Sequence, residues 1–443
     1  MVKEAVAEVV VAALDVVRRS WPWRARITIM SNAKGETAHR CHLIDNVPAR
    51  SRAFLHRTRQ TMCNRSPIQC IVPPRLLDLL LAHENPAIRA SALATLLGTA
   101  RLRGQRELLA KSFAPSPAGG LNRSIFDAGS GSAPFGRLVR GEGQASIGDR
   151  AANDVYDGFG ATYDLYRTVF HRDSIDGKGL RLEGVVHFGE GYNNAFWNGS
   201  RMIFGDGDGQ SFIGFTQSLE VIGHELAHGV TEFTCALEYH RQSGALNESM
   251  SDVFGTLVKQ YKLGQAVEAA DWLIGAGILG PAIAGRALRS MREPGTAFAG
   301  DDQPSHMDGY VDLPDTDAGD QGGVHTNSGI PNKAFYLVAS ALGGSAWEAA
   351  GLIWYDTLLA LKPTSDFMDC ANTTYHLAGK RFGVGGHEQE AVGHAWTAVG
   401  VSIEPQAAIG AMSLSANASA LRYRLKDIAQ QVERAVDLVQ SGL

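Results

Sequence analysis

Two histidines and a glutamate stand at the spacing of a helical metal site in the run His224-Glu225-Leu226-Ala227-His228. Residues four apart on a helix share one face, so His224 and His228 can offer two ring nitrogens to one metal ion. Zinc held by two histidines and one carboxylate keeps an open position for a water molecule, whose pKa it lowers from about 16 toward roughly 7. Glu225 stands where it can take the proton of that water. The pattern predicts zinc-dependent attack on a carbonyl.

The helices that must position these groups are also legible in the sequence. The first is predicted over 216–234, and the second over about 246–261. Glu248 and Asp252 lie four residues apart on one face of the second helix. We expect Glu248 to be the third zinc ligand and Asp252 to accept the other ring N–H of a zinc histidine. Two surface helices with ordinary polar pairs are the alternative.

The runs around these residues resemble the thermolysin family of neutral metalloproteases, in its protealysin-like branch. They read VIGHELAHGVTEFT, ALEYHRQSGALNESMSDVFGTL and GGVHTNSGIPNKAFYL, with GYNNAFWNGSRMIFGDGDG upstream and AVGHAWTAVGV near the end. Matching pieces extend from about Tyr156 to Val401, in the family's order and spacing. The resemblance implies an α+β protease with a β-rich N-lobe and a helical C-lobe, and with zinc in the cleft between them.

By position, the resemblance also implies a role for each residue of the centre. The implied zinc ligands are His224, His228 and Glu248. Glu225 would be the general base, while Asn247 and Asp252 would hold the two zinc histidines.

Further residues would act on the substrate. His325, oriented by Asp320, and Tyr239 would donate hydrogen bonds to the oxyanion, and such donors commonly contribute ~3–4 kcal/mol each. By sequence alone, His325 falls in a loop. Arg289 would bind the substrate backbone on the leaving-group side, because a guanidinium suits a peptide carbonyl.

The remaining substrate contacts concern an edge segment and a pocket. Asn194 and the backbone of Ala195 lie where the family pairs with an extended peptide. The pocket beside the scissile bond is implied at Phe212, Phe215, Val221, Ile274 and Leu288. The match predicts cleavage before a bulky hydrophobic residue, of internal bonds in peptides or proteins.

The chain departs from thermolysin at its internal calcium pair. Only Glu220 and Asp271 remain of the carboxylates there, while Lys259, Leu273 and Ala276 take other positions. An ammonium group facing two carboxylates can replace a bound cation. We therefore expect this calcium pair to be absent. The acidic loop 301–320 is interpreted as a solvated surface loop, with calcium binding there left open.

Composition limits the function classes. The 443 residues carry a net charge of −5 without a basic stripe, which argues against nucleic acid as a partner. No apolar run reaches the ~18–20 residues of a membrane span. Five scattered cysteines do not describe a disulfide framework. A monomer is the default expectation.

The segment before the protease resembles the short propeptide of protealysin-like enzymes, with helices predicted over 75–83 and 87–97. It would act as an intramolecular inhibitor until cleavage in the linker FAPSPAGGL (113–121); an appendage that is never removed is the alternative. The first 61 residues match nothing, and Met62 is a candidate start. Binding of zinc by Cys63 or Cys70 in the zymogen is left open.

The amino-acid sequence thus predicts five regions along the chain. They are an unplaced extension (1–61), a propeptide and linker (62–121), the β-rich lobe (122–222), the helical lobe (223–403) and a tail (404–443). Strands are predicted over 185–188 and 201–204. An aromatic-faced helix is expected around 156–170, and further helices over 332–342, 346–361, 366–382, 388–399 and 421–439.

Two other functions stay open from the residues alone. A zinc aminopeptidase could use the same ligands, and a non-catalytic peptide-binding protein could descend from a peptidase. The family is largely secreted by bacteria, which favours export. Residues 1–17 do not form a classical signal peptide, however, because acidic residues interrupt their apolar run, so a cytoplasmic location is the alternative.

Overall fold

The computed structural model describes residues 30–31, 37–38, 68–109 and 119–404. Cys63, most of the linker and the C-terminal helix expected over 421–439 lie outside the described residues. The chain divides into two units, Met1–Asn64 and Arg65–Leu443. In the first unit, β1 (Met30–Ser31) pairs antiparallel with β2 (Thr37–Ala38).

The second unit begins with a short strand and two helices. β3 (Gln69–Cys70) is followed by α1 (Pro74–Leu81) and α2 (Pro86–Leu109). Both helices begin at a proline, whose fixed φ and missing N–H suit the first turn. The second helix extends twelve residues beyond the predicted end. Its last part lacks an apolar stripe, but alanine, leucine and arginine sustain a helix without one.

A six-stranded sheet forms the β-rich lobe, in the order β3-β7-β8-β6-β4-β5. Its strands after β3 are β4 (Arg123–Asp127), β5 (Arg137–Gly141), β6 (Leu182–Val186), β7 (Ala195–Trp197) and β8 (Met202–Phe204). β4, β6 and β8 run parallel, while β7 runs antiparallel to β8. β3 pairs antiparallel with β7 and therefore forms one edge of the sheet.

The predicted aromatic helix packs on this lobe as α3 (Arg150–Thr168). Asp149 caps its first turn by accepting a hydrogen bond from the N–H of Ala152 at 3.3 Å. The aromatic face is buried at Tyr156, Phe159, Tyr163 and Tyr166, as the spacing predicts. Phe170 lies beyond the helix end and stacks on Tyr355 with ring centroids 4.6 Å apart.

The helical lobe is built around α4 (Leu219–Glu232) and α5 (Arg241–Leu263). α5 begins five residues earlier than predicted, because its first turns bury small and polar residues that give no apolar periodicity. The helices cross closely at Gly255. A Cβ there would lie 2.5 Å from the carbonyl oxygen of Glu220 and 3.0 Å from the nitrogen of His224. Glycine at this position therefore sets the distance between the two helices that carry the site.

The rest of the lobe follows the predicted helical pattern. A hairpin of β9 (Leu273–Ile274) and β10 (Arg289–Ser290) precedes a 3-10 turn at Met307–Gly309. The helices are α6 (Asp320–Asn327), α7 (Gly329–Leu342), α8 (Ala349–Ala360), α9 (Phe367–Phe382) and α10 (His387–Ala398). Among the described helices, none is both long and apolar enough to cross a membrane.

Candidate active site

Helices α4 and α5 bring three ligand groups to one buried point. The Nε2 atoms of His224 and His228 lie 3.5 Å and 3.4 Å from the carboxylate oxygens of Glu248. All three side chains are completely buried. The spacing on α4 and the position on α5 therefore produce the three-residue cluster that the sequence predicts.

The donor set fits a zinc ion. The Nε2 atoms of both histidines and Oε2 of Glu248 have no hydrogen-bond partner, although buried polar atoms normally have one. Two imidazole nitrogens and one carboxylate are a usual catalytic zinc set. Burial, together with the neighbouring His224, holds the pKa of His228 well below its usual value. His228 is therefore neutral, as a metal ligand must be.

Two side chains on α5 hold the far nitrogens of the histidines. Nδ1 of His224 lies 2.8 Å from Oδ1 of Asp252, and Nδ1 of His228 lies 2.8 Å from Oδ1 of Asn247. Because these partners accept hydrogen bonds, each Nδ1 carries the proton and each Nε2 keeps its lone pair for a metal. Ser251 also lies against His228, with Oγ 2.9 Å from Nδ1. No sequence pattern marks Ser251 as a site residue.

Glu225 is buried beside the ligands, and neither of its carboxylate oxygens closes a hydrogen bond. Burial raises the pKa of Glu225 well above its usual range, and the charge of Glu248 adds to the shift. The nearby backbone N–H groups of Trp197 and Ile71 lower the pKa, but by less. A carboxylate in this environment is a strong proton acceptor.

His325 and Asp320 form a second buried pair at the edge of the cluster. Nδ1 of His325 lies 2.5 Å from Oδ1 of Asp320, and its Nε2 lies 3.6 Å from Glu248. Burial lowers the pKa of His325, but the charges of Asp320 and Glu248 outweigh burial and raise it to about 9. The imidazolium can therefore donate from both nitrogens.

The placement of His325 in a loop was wrong, because the residue lies in α6. Left-handed backbone at Gln321, Gly322 and Gly323 interrupts this helix before a regular final turn. Neither the glycines nor the short length suggested a helix. The carboxylate of Asp320 also accepts the backbone N–H of His325 at 2.8 Å, which anchors that turn.

Tyr239 lies between the three-residue metal cluster and the His325–Asp320 pair. Its hydroxyl donates to Oε1 of Glu248 and lies 3.3 Å from Nε2 of His325. The structure thus brings Tyr239 to the centre, although its sequence neighbourhood carries no signature.

Arg289 reaches the site from β10 and pairs with Asp252 through two hydrogen bonds of 2.8 Å and 2.7 Å. Asn332 completes the cluster, with Nδ2 donating to Oδ2 of Asp252 at 2.8 Å. Sequence reasoning missed Asn332 as a site residue, because its single hydrogen bond to Asp252 joins two elements and leaves no local sequence pattern.

The predicted substrate cleft is filled by the chain's own β3 segment. The N–H of Ile71 donates to the carbonyl oxygen of Ala195 at 3.1 Å, and the N–H of Val72 donates to Oδ1 of Asn194 at 3.1 Å. Nη1 of Arg289 donates to the carbonyl oxygen of Ile71 at 3.0 Å.

The carbonyl oxygen of Cys70 accepts from Nε2 of His325 at 2.7 Å. It is the carbonyl of Cys70 that meets His325, and the thiol is not part of the three-residue metal cluster.

The five predicted pocket residues are all buried in one apolar cluster that also contains Ile71 and Val72. They are Phe212, Phe215, Val221, Ile274 and Leu288. The rings of Phe212 and Phe215 lie 5.2 Å apart. All five residues therefore belong to the large apolar core of the second unit, which extends from Ile71 to Val401.

The ammonium group of Lys259 faces the carboxylates of Glu220 and Asp271, as predicted. Its Nζ lies 3.3 Å from Oε1 of Glu220 and 2.8 Å from Oδ2 of Asp271. The backbone N–H of Ala276 also donates to Glu220 at 3.0 Å. Burial lowers the pKa of Lys259, but the charges of the two acids outweigh it and raise the pKa.

Comparisons with known proteins agree with this geometry. A family model described as "Thermolysin metallopeptidase, catalytic domain" matches residues 133–232, and one described as "Thermolysin metallopeptidase, alpha-helical domain" matches 235–401. An "Extracellular metalloprotease" of Pectobacterium carotovorum subsp. carotovorum is 48% identical over 348 residues, which cover 77% of this chain and 98% of that protein.

Two further relatives cover different shares. A "Thermolysin" of Alicyclobacillus acidocaldarius subsp. acidocaldarius is 44% identical over 261 residues, or 57% of this chain and 46% of that protein. The solved structure "Precursor of Protealysin, Metalloproteinase from Serratia proteamaculans" matches with a TM-score of 0.68 and 46% identity, and covers 75% of this chain and 100% of that one.

Proposed function

The chain belongs to the thermolysin family of zinc metalloendopeptidases, and we propose that it is made as a zymogen in which Glu225 is the general base and β3 blocks the substrate cleft. The observation that carries the roles is the buried, unpaired carboxylate of Glu225 next to the three ligand atoms. Family membership favours the endopeptidase over both an aminopeptidase and a non-catalytic descendant.

Each residue then has a defined task in hydrolysis. Zinc, when bound by His224, His228 and Glu248, polarises water and the peptide carbonyl. Glu225 takes the proton of the attacking water and passes it to the leaving nitrogen. His325, held by Asp320, donates to the oxygen on which negative charge develops. Tyr239 is a second donor to that oxygen once its hydroxyl leaves Glu248.

The substrate is positioned by the groups that hold β3 in this structure. Asn194 and Ala195 pair with the extended backbone, while Arg289 binds a carbonyl on the leaving-group side. The apolar cluster around Phe212 and Leu288 favours a bulky hydrophobic residue at the new N-terminus.

The zymogen proposal rests on how the first helices dock. Along α2, Ser91 donates to the carbonyl oxygen of Gly191 at 3.1 Å, and Thr95 accepts the N–H of Asn193 at 3.1 Å. The hydroxyl of Thr99 lies 2.7 Å from that of Tyr192. These contacts hold the propeptide against the residues just before strand β7, the strand that pairs with β3.

The other features of the enzyme follow from the same assignment. We propose the regions 62–121, 122–222 and 223–403 as propeptide with linker, β-rich lobe and helical lobe. Lys259 takes the place of the internal calcium pair. The mature enzyme is a monomer. It is extracellular, and the name of the Pectobacterium relative supports this location.

The proposal is tested with an N-blocked peptide that has a central Gly-Leu bond. The processed enzyme should cut before leucine, and Glu225→Gln should lower the rate by at least ~10²–10⁴-fold while zinc stays bound. The exposed Glu268→Gln is the matched control and should retain full activity. An aminopeptidase cannot cut a blocked peptide. Loss of cleavage in zinc-loaded, processed wild type would overturn the assignment.

A further inference from the structure

We propose that the Cys70–Ile71 peptide bond lies at the reaction position of the cleft, and that the zymogen hydrolyses this bond in its own active site. The inference rests on the proposed function and deepens it, because it names the first substrate of the enzyme. It is carried by the contacts of three consecutive peptide groups.

The carbonyl of Cys70 occupies the place of the carbonyl that is attacked. Its oxygen accepts from Nε2 of His325 at 2.7 Å. His325 lies 3.6 Å from the carboxylate of Glu248, and Tyr239 lies 3.3 Å from His325. The oxygen of Cys70 is therefore held by the proposed oxyanion donor, beside the metal ligands.

The next two peptide groups occupy the leaving-group side. The N–H of Ile71 donates to Ala195, and the carbonyl of Ile71 accepts from Arg289 at 3.0 Å. The N–H of Val72 donates to Asn194 at 3.1 Å. The contacts on both sides of the 70–71 bond therefore fix the direction and the register of this segment in the cleft.

The side chains agree with this register. Ile71 is completely buried and belongs to the main apolar core, which also contains the five predicted pocket residues. Cys70 belongs to a different buried cluster, with Phe188 and Phe196. A shift by one residue would exchange these faces and place Cys70 toward the pocket.

The neighbouring bonds do not fit the reaction position. The carbonyl of Ile71 is held by Arg289 on the leaving-group side, away from His325. The bond from Val72 to Pro73 has no N–H, since proline lacks one. Only the 70–71 bond combines a carbonyl at His325 with an N–H at Ala195.

The reaction balances without a further reactant. The oxygen of water bonds to the carbonyl carbon of Cys70 as Glu225 takes a proton, and the bond from that carbon to the nitrogen of Ile71 then breaks. The proton goes to this nitrogen. The products are a chain that ends in the carboxylate of Cys70 and a chain that begins with the amine of Ile71.

The new N-terminus should stay bound in the cleft. Its contacts with Arg289 and Asn194 survive the cut, and α2 remains docked through Ser91 and Thr95. Cleavage at 70–71 therefore leaves the leaving-group side occupied, and release of the segment requires a second cut in the linker.

The experiment uses the full-length, zinc-loaded chain, followed by intact mass and N-terminal sequencing. Wild type should yield a fragment that begins with Ile-Val-Pro-Pro, at a rate independent of protein concentration. Glu225→Gln should abolish it, and Ile71→Asp should slow it on the order of 10²-fold because a charge enters an apolar pocket. Ile71→Leu should restore it, and Leu97→Asp at an exposed position of α2 should change nothing.

A second readout needs no turnover. In zinc-free Glu225→Gln protein, hydrogen exchange at the amides of Ile71 and Val72 should be slow, and Ile71→Asp but not Leu97→Asp should accelerate it. Absence of an Ile71 N-terminus in preparations that cut the blocked Gly-Leu peptide would overturn this inference and leave the proposed function intact. If neither substrate is cut, both proposals fail.

Discussion

Arg289 and Asp252 form a bidentate ion pair that is almost completely buried, with N···O distances of 2.8 Å and 2.7 Å. Asp252 also accepts from His224 and Asn332. Burial acts to raise the pKa of Asp252, but Arg289 and His224 outweigh it and hold the pKa well below its usual range. The pair therefore connects the proposed substrate-binding cation to His224 of the metal cluster.

Replacing Arg289 with methionine should destabilise the protein strongly. The change leaves the Asp252 carboxylate buried without its cation, which typically costs ~3–5 kcal/mol. Urea unfolding of the zinc-loaded protein, monitored by fluorescence, measures the loss. The matched control is Arg381→Met, because Arg381 makes a similar two-bond pair with Asp356 that is partly exposed. The control should cost no more than ~1 kcal/mol. Equal losses for the two variants would contradict the prediction.

Asn247→Ala should weaken zinc binding more than it weakens the fold. Without the Asn247 oxygen, Nδ1 of His228 loses the acceptor that fixes its tautomer, although Ser251 remains close. Loss of such a partner typically lowers metal affinity 10–100-fold. Competition with a chromophoric chelator gives the dissociation constant. Asn372→Ala, on α9 and with a single backbone contact, should leave the affinity unchanged. An affinity for zinc equal to wild type in Asn247→Ala would show that Ser251 alone holds the ring.

The metal ligands were predictable because their chemistry and spacing lie within two helices. His224 and His228 share one helical face, and Glu248 follows on the next helix. Most helices followed from hydrophobic periodicity, and the two lobes followed from the resemblance to the thermolysin family. By contrast, Ser251 and Asn332 act through single hydrogen bonds across elements, and no local pattern marks them.

The position of β3 in the cleft could not be predicted from the sequence either. The propeptide helices could be recognised, but the strand before them has only two residues. Its position depends on backbone groups that pair with β7, and these groups are the same for every residue type except proline. His325 illustrates the same limit, because left-handed residues interrupt its helix and the turn that carries it is anchored by the bond from its N–H to Asp320.

Lys259→Ser should create a requirement for a cation that the wild type lacks. The change leaves Glu220, which is nearly buried, facing Asp271 without the ammonium group that now lies between them. The variant should lose stability in calcium-free buffer and regain part of it when calcium is added, since oxygen-only sites suit that ion. The midpoint of thermal unfolding measures both effects. The wild type should show no comparable gain. A calcium-dependent rise of wild-type stability would contradict the replacement of calcium by Lys259.

His187 should make the protein less stable as the pH rises above the ordinary histidine value. Its Nδ1 lies 2.8 Å from Oδ2 of Asp206, and its Nε2 lies 3.0 Å from Oδ2 of Asp149, the residue that caps α3. Burial acts to lower the pKa of His187, but the hydrogen bonds and charges of the two acids outweigh it, so the pKa lies above the usual 6.5. A raised pKa means that the folded protein binds this proton more tightly than the unfolded chain does.

The sign of the effect follows from that difference. The stabilisation by His187 is complete below pH 6.5, the ordinary histidine value, and is lost as the pH rises through the higher folded-state pKa. The free energy of unfolding should be measured from about pH 5 to about pH 9, across the range in which histidine titrates. His187→Gln should reduce stability at the acidic end and approach wild type at the alkaline end. Asp206→Asn should move the loss to lower pH, because one of the two stabilising charges is gone. Parallel curves for wild type and His187→Gln would mean that the pKa of His187 is the same in the folded and the unfolded chain, and would contradict the prediction.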